Sequence, residues 1–147
     1  MKKIVTILTF FLLTSVVLFS CKKDEPVATI KAPTKTELLT AHDWKISKIT
    51  ALNGTDISAI ALAFGVNIND YLDYVLKFDT NFDFLVKKTA DTTFTNSGKW
   101  QFKENEQIVN FNFLSANQDA QIISITDNSL VLNLKIQNVG IQATFIK

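Results

Sequence analysis

Few residues in this 147-residue chain could do covalent or acid–base chemistry: it has one cysteine, Cys21, and one histidine, His42. A nucleophilic site needs a base within reach, and His42, next to Asp43, is the lone imidazole. Standing where a helix signal gives way to a strand signal, it is expected to cap or face solvent rather than to catalyse. Zinc sites draw three or four ligands from Cys, His and carboxylates, and one histidine cannot found a histidine-based set. The run Asp79-Thr80-Asn81-Phe82-Asp83 spaces its oxygens like the start of a calcium loop. Its sixth position is Phe84 instead of Gly and its twelfth is Ala90 instead of Glu, so a hairpin turn with Asn81 left-handed is expected instead. Asp70 and Asp73 are only three apart at a helix end, which does not make the cleft that glycosidase carboxyls span. The chain contains no arginine and so lacks the side chain best suited to bidentate capture of phosphate or carboxylate. No catalysis, metal or cofactor is expected.

Cys21 has a different setting. Lys2 and Lys3 precede an apolar run over residues 4–19, and the run ends in Leu18-Phe19-Ser20-Cys21. A basic start, a short apolar stretch and a small residue before the cysteine form a secretory signal over residues 1–20. The last four residues resemble the lipobox of bacterial lipoproteins. The resemblance implies thioether lipidation of Cys21, cleavage before it, and acylation of the new amino group by a palmitate-type chain. Sixteen apolar residues fall short of the ~20 needed to span a bilayer, and Cys21 has no second cysteine to pair with. Two or three acyl chains, at roughly 0.8 kcal/mol per buried methylene, anchor stably. The expected location is the outer membrane, with the membrane held through lipid on Cys21.

Residues 21–33 carry two prolines and mixed charge and read as a flexible tether. Within them Lys23-Asp24-Glu25 resembles the Lys-plus-acidic sequence after the lipidated cysteine of surface-exported Bacteroidota lipoproteins. Display at the cell surface and an ordinary charged linker both remain open. Asp91-Thr92-Thr93 likewise resembles an O-glycosylation acceptor of these bacteria, though so short a pattern also arises by chance.

Loss of Lys2 and Lys3 leaves thirteen lysines against fourteen Asp plus Glu. A nearly neutral chain has no electrostatic footprint for nucleic acid. The residues after the tether suffice for one domain, here 34–147, and not for two.

Thr34-Lys35-Thr36-Glu37 fits a capping box and predicts a short helix over about 35–40 that buries Leu38 and Leu39. From Trp44 onward the apolar pattern has mostly period two, which predicts strands. After residues 44–52, Tyr74, Leu76 and Phe78 form one row, and Phe82, Phe84 and Val86 the next. A third row runs Phe94, Gly98, Trp100 and Phe102, and a fourth Val109, Phe111 and Phe113. Residues 119–126, 129–136 and 139–146 complete a count of eight. Asp79-Thr80-Asn81, Glu104-Asn105-Glu106, Asp127-Asn128 and Asn138-Val139-Gly140 are the expected turns. Ile57, Ile60, Ala61, Phe64 and Ile68 instead follow helical spacing, with Thr55 or Asp56 as cap and Gly65 near the end. That helix either plugs one end of the sheet structure or acts as a movable lid.

Several landmarks occur in order: Leu38-Leu39-Thr40-Ala41-His42-Asp43-Trp44-Lys45-Ile46, then Leu76-Lys77-Phe78-Asp79-Thr80-Asn81-Phe82, Ser97-Gly98-Lys99-Trp100-Gln101-Phe102 and Ile125-Thr126-Asp127-Asn128-Ser129-Leu130-Val131-Leu132. Together they resemble the lipocalin-like domains of small Bacteroidota lipoproteins over about residues 36–147. The resemblance implies an eight-stranded up-and-down barrel, so the expected fold is all-β and antiparallel, with the short N-terminal helix and the helix between the first two strands that the residue pattern predicts. It also implies an interior that is either filled by side chains or holds one small ligand.

The domain is rich in phenylalanine. One reading lines an apolar ligand pocket with Trp100, Phe84, Phe111 and Tyr74, and places Phe64 of the mouth helix against it. The other has the aromatics simply filling the barrel. A binding domain for a small apolar molecule follows from the first, and a structural or interaction lipoprotein that meets an envelope or host partner follows from the second. Oligomeric state is left open by the sequence.

Overall fold

A computed structural model describes residues 31–63, 65, 67–136 and 139–147. Cys21, the apolar run before it, most of the tether, and Phe64 lie outside the described residues.

Helix α1 (Lys35–Thr40) begins with the capping box that its sequence predicts. Glu37 donates its backbone N–H to Thr34 Oγ1 at 3.2 Å, and Thr34 N–H donates to Glu37 Oε2 at 2.6 Å. These two bonds satisfy amides that a helix start otherwise leaves open. Leu39 is fully buried and Leu38 half-buried.

Eight strands follow: β1 (Asp43–Ala51), β2 (Tyr74–Phe78), β3 (Asp83–Lys88), β4 (Thr95–Lys103), β5 (Ile108–Phe113), β6 (Ala116–Ile125), β7 (Ser129–Ile136) and β8 (Val139–Ile146). Each pairs antiparallel with the next, and β8 returns to pair with β1, closing the barrel. The fold is the expected all-β up-and-down barrel. Alternation decides which face each residue takes. On β7, Leu130, Leu132, Leu134 and Ile136 are buried while Val131, Asn133 and Lys135 lie outside. On β8, Ile141, Ala143 and Phe145 continue the same inner surface.

Three one-residue bulges interrupt the registers, at Ser47, Ser97 and Ile123. A bulge bends a strand and sharpens its twist, which a small closed barrel requires. Two of them use a serine hydroxyl to occupy a neighbouring carbonyl: Ser47 Oγ donates to Thr144 O at 3.0 Å, and Ser97 Oγ to Asn112 O at 2.8 Å. The Ser97 bulge also corrects one expected row. Phe94 does not share the inner face with Trp100; it is half-buried beneath Lys87 and Lys77, whose Nζ atoms stand 4.7 and 5.8 Å from its ring centroid.

The turns differ in detail from expectation. In the β2–β3 hairpin the left-handed residue is Phe82, at φ 62°, rather than Asn81. Asp79 accepts from Phe82 N–H and donates to Asp83 O, both at 2.9 Å, which places the left-handed position last in the turn. Glu104, Asn105 and Glu106 all have positive φ. Leu114 and Ser115, at φ 51° and 64°, make a two-residue turn into β6, so β6 starts at Ala116 rather than at 119. Val139 and Gly140 belong to β8 and not to a turn.

The predicted single helix over 57–68 is two short ones, α2 (Ser58–Ala63) and α3 (Asn69–Leu72). Gly65, at φ 74°, interrupts them, a geometry that glycine adopts without Cβ strain. Asp56 Oδ1 accepts from Ser58 N–H at 2.8 Å, as a cap should. Ile57, Ala61 and Ile68 are buried, but Ile60 is 52% exposed and Leu62 68% exposed. With the helix broken at Gly65, its apolar stripe cannot run straight onto the barrel. The β1–β2 connection that carries α2 and α3 sits at the end of the barrel opposite α1.

Candidate functional site

At the end occupied by α1, four aromatic side chains pack together, Phe78 edge-on to Trp100 and Phe111 and tilted against Phe84. Phe78 stands 5.1 Å from Phe84, 5.8 Å from Trp100 and 5.5 Å from Phe111, centroid to centroid, and Phe84 lies 4.7 Å from Phe111. All four are at most 2% exposed. Such contacts are worth about 0.5–1.5 kcal/mol per pair beyond area burial. Trp100 donates Nε1–H to Asp79 O at 2.9 Å, so its one polar atom is satisfied in place. The structure thus brings together three of the five candidate pocket residues, Trp100, Phe84 and Phe111. Tyr74 lies apart from them, against Phe113 at 5.3 Å, and Phe64 lies outside the described residues.

Toward the other end, below α3, a void of about 10 Å³ remains. Its lining includes Ile49, Tyr71, Phe111, Phe113, Leu134 and Ile141 and presents no polar atom to it. A volume of that size holds about one water, and an apolar lining keeps it dry. Burial, with Asp70 and Tyr74 nearby, pushes the Tyr71 phenol up, so the ring covers the void as a neutral group. Among the described residues the interior is therefore filled.

Larger space lies outside. A groove of about 660 Å³ runs over β6, β7 and β8, within the range of small ligand sites. Pairing of β6 with β7 runs from Ile125↔Leu130 to Gln121↔Asn133 and ends there. Residues 116–120 of β6 and 134–136 of β7 continue beyond the last pair. Two other seams also stop short, but each is bridged. α3 packs against β1 where its pairing with β2 ends, and the Ser97–Asn112 bond ties β4 to β5 above Trp100↔Phe111.

The groove meets residues of both faces of the wall. Asn117, Asp119 and Gln121 belong to the outer row of β6, while Gln118 shares the inward face of Ala120. Outer Asn133 and Lys135 line it together with inward Leu134. The groove lies where the β6–β7 register stops. Leu134 borders both groove and void and is the side chain between them. Leu52, 55% exposed, forms one bank by lying over Gly140, where an added Cβ would come within 3.1 Å of Leu52 Cδ1.

The polar margin of the groove is held by side chains. Asn110, 7% exposed, donates Nδ2–H to Asn117 Oδ1, Gln118 O and Asp119 Oδ1. Lys103, with Asn110, holds the Asp119 carboxyl below its usual range. On β5, Asn112 Oδ1 is buried without a partner beside Gly98. Sequence reasoning did not find this groove, because it depends on where a long-range register ends.

His42 sits at the α1 end, edge-on to Trp44 at 5.6 Å, with Nε2 3.0 Å from Asp127 Oδ1. Lys147 donates to the other Asp127 oxygen at 3.0 Å. No nucleophile stands in hydrogen-bond contact with His42 among the described residues. Nor do these residues contain a cluster of three or more His, Cys, Asp or Glu able to hold a metal.

A search of curated proteins finds no match to the chain. A family model described as a lipocalin-like domain matches residues 40–132, a span from the end of α1 to the middle of β7. That family is generally a binding fold rather than a catalytic one. With the closed eight-stranded barrel and a match over more than half its length, the chain belongs to the lipocalin-like domain family.

Proposed function

We propose that this protein is a lipid-anchored envelope lipoprotein whose barrel is a filled scaffold, with its binding surface on the outer wall. The single observation that carries the reading is the contrast in space: about 10 Å³ inside the barrel against about 660 Å³ in the groove outside. A lumen closed by Phe78, Phe84, Trp100 and Phe111 offers no preformed volume to a carried molecule. The anchor rests on Leu18-Phe19-Ser20-Cys21 and the basic, apolar leader before it. The lipid would sit on Cys21 in the outer membrane, with residues 22–33 as the spacer between membrane and barrel.

The second reading, a carrier of a small apolar molecule, is favoured by the apolar lining of the void beneath Tyr71. A shift of the α2–α3 cap would enlarge that space.

Two measurements test the proposal. Incorporation of an alkynyl fatty acid by the wild type, and none by Cys21→Ala, is expected if the anchor is lipid. Photo-crosslinkers placed at Gln121 in the groove and at Leu62 on the cap of the full chain, in intact cells, should capture a protein partner. No crosslink from either position would overturn the outer-wall reading, and a reproducible small-molecule adduct in native mass spectrometry would then favour a carrier.

A further inference from the structure

Going beyond an outer-wall surface in general, and resting on that reading, we infer that the β6–β7 breach is a docking site for an extended peptide segment of a partner protein, added as a strand to the free edge of β6.

The argument begins from the backbone. Every non-proline residue carries one N–H and one C=O, and strand edges that leave these groups open are templates for another strand. Barrel closure removes such edges everywhere the ladder is continuous, and β6 past Gln121 is where it is not. Five residues, 116–120, extend about 17 Å, room for a short strand. On their other side the same residues are fully engaged with β5, from Ala116↔Phe113 to Ala120↔Val109, so the edge is held rigidly in extended form.

The groove chemistry agrees with such an occupant. Strand addition draws affinity from main-chain bonds and specificity from alternate side chains. Leu52, Ile108 and Leu134 offer apolar contact, Asn117 and Asn133 offer amide donors, their oxygens being taken by Asn110 and Gln142, and Gln121 offers both a donor and an acceptor. Charge is sparse: Lys135 is the lining cation, and Asp119 is already paired with Lys103. A phosphate-rich or strongly charged ligand finds little there, whereas a neutral peptide with alternating apolar and polar side chains finds both banks.

The probe is a synthetic octapeptide, Ser-Leu-Val-Leu-Asn-Leu-Lys-Ile. This is the sequence of β7 itself, the strand β6 already accepts below the breach. It is added to the full chain in lipid nanodiscs while amide exchange is followed residue by residue. In the partner-free chain the amides of 116–120 that point toward the seam should exchange fast. The peptide should slow them and shift the signals of Gln121, Asn133 and Lys135. N-methylation of the peptide at alternate residues should weaken binding about tenfold on one edge, the effect of losing about one net hydrogen bond, and methylation of the other set should not. Leu52→Asp, at an exposed position, should weaken binding with the barrel still folded.

Slow exchange at 116–120 in the partner-free monomer would overturn the proposal, since the edge would then be covered by the chain itself. Concentration-dependent protection of those amides would overturn it in favour of a second copy. Equal binding of both N-methylated peptides would also overturn it, as apolar adhesion without a ladder. Crosslinks from Leu62 but none from Gln121 would sink this inference while leaving the outer-wall reading standing; no crosslink from either position would sink both.

Discussion

Trp44 donates its indole Nε1–H to the carbonyl oxygen of Leu39 across 2.8 Å, and both residues are fully buried. This bond ties the first inward side chain of β1 to the last turn of α1. A six-residue helix leaves its final carbonyls without intrahelical partners, and here an indole supplies one from outside the helix. The plug at this end of the barrel is thus held by one specific donor as well as by the packing of Leu39.

Replacing Trp44 by Phe keeps an aromatic ring but removes that donor. The Leu39 carbonyl would then be buried and unpaired, at a cost of about 1–3 kcal/mol, apart from the lost indole volume. Urea denaturation should show the loss as a lower midpoint with an unchanged slope. In the variant the amides of α1 should exchange faster, because the plug loosens before the barrel does.

Phe111 joins the aromatic cluster to the void, touching Phe78 and Phe84 on one side and lining the space below Tyr71 on the other. Phe111→Ala should destabilise the fold by about 3–5 kcal/mol, a large share of the 5–15 kcal/mol typical of whole domains. The deleted ring would merge with the void into an apolar cavity able to take benzene or xenon. Benzene should therefore raise the melting temperature of the variant and leave that of the wild type unchanged. A wild type stabilised to the same extent would show that the lumen already admits apolar molecules.

Acid should weaken the fold through carboxylates on its outside. Lys99 with Asn96 holds Asp83 low, Lys103 with Asn110 holds Asp119 low, and His42 with Lys147 holds Asp127 low. A carboxyl whose folded value lies below its unfolded value of about 3.9 stabilises the fold fully above that pH. The contribution is lost as pH falls through the lowered folded value. Stability to urea should thus be flat from pH 7 to about pH 5 and fall as pH drops below about 4. Asp119→Asn should be less stable than wild type at pH 7, and its acid decline should be shallower. An identical decline in wild type and variant would remove Asp119 from the account.

The strands were legible in the sequence because period two leaves a local record: the Leu130–Leu132–Leu134–Ile136 row alone places β7 and its inner face. The capping box at Thr34 and Glu37 is equally local. What the sequence hid was of two kinds. The Leu114–Ser115 turn carries no Gly, Asn or Asp, and the Ser97 bulge inserts one residue that reverses the face of everything before it, Phe94 included. Neither leaves a compositional signal. The groove was hidden for a different reason: it exists because one pairing register stops at Gln121↔Asn133, a relation between residues whose separate patterns look continuous. Of the aromatic candidates, the sequence found Trp100, Phe84 and Phe111 but missed Phe78, the ring that touches all three, and it included Tyr74, which alternation placed on the right face but at the wrong height.

Phe82 is the clearest local conflict in the fold, and two opposing effects decide what its replacement does. Its φ of 62° puts a bulky side chain in the left-handed region, which costs an L-residue about 1–2 kcal/mol. Against this, its ring lies 5.1 Å from Trp100 and its carbonyl accepts from Trp100 N–H at 2.9 Å. The ring contact is worth about 0.5–1.5 kcal/mol beyond area, and the side chain is 53% exposed, so only part of its area adds to that. Phe82→Gly removes both the strain and the ring, and stability should stay within about 1 kcal/mol of wild type. Phe82→Ala removes the ring and keeps the strain, so it should be less stable than the glycine variant by about 1 kcal/mol. The backbone bond to Trp100 survives both changes. In each variant Trp100 should emit at longer wavelength as water reaches the face that Phe82 covers, while Trp44, at the foot of β1, should not respond. An alanine variant as stable as the glycine one would mean that the turn relaxes without its phenylalanine, and that the left-handed φ is imposed by the ring's contact with Trp100 rather than by the hairpin.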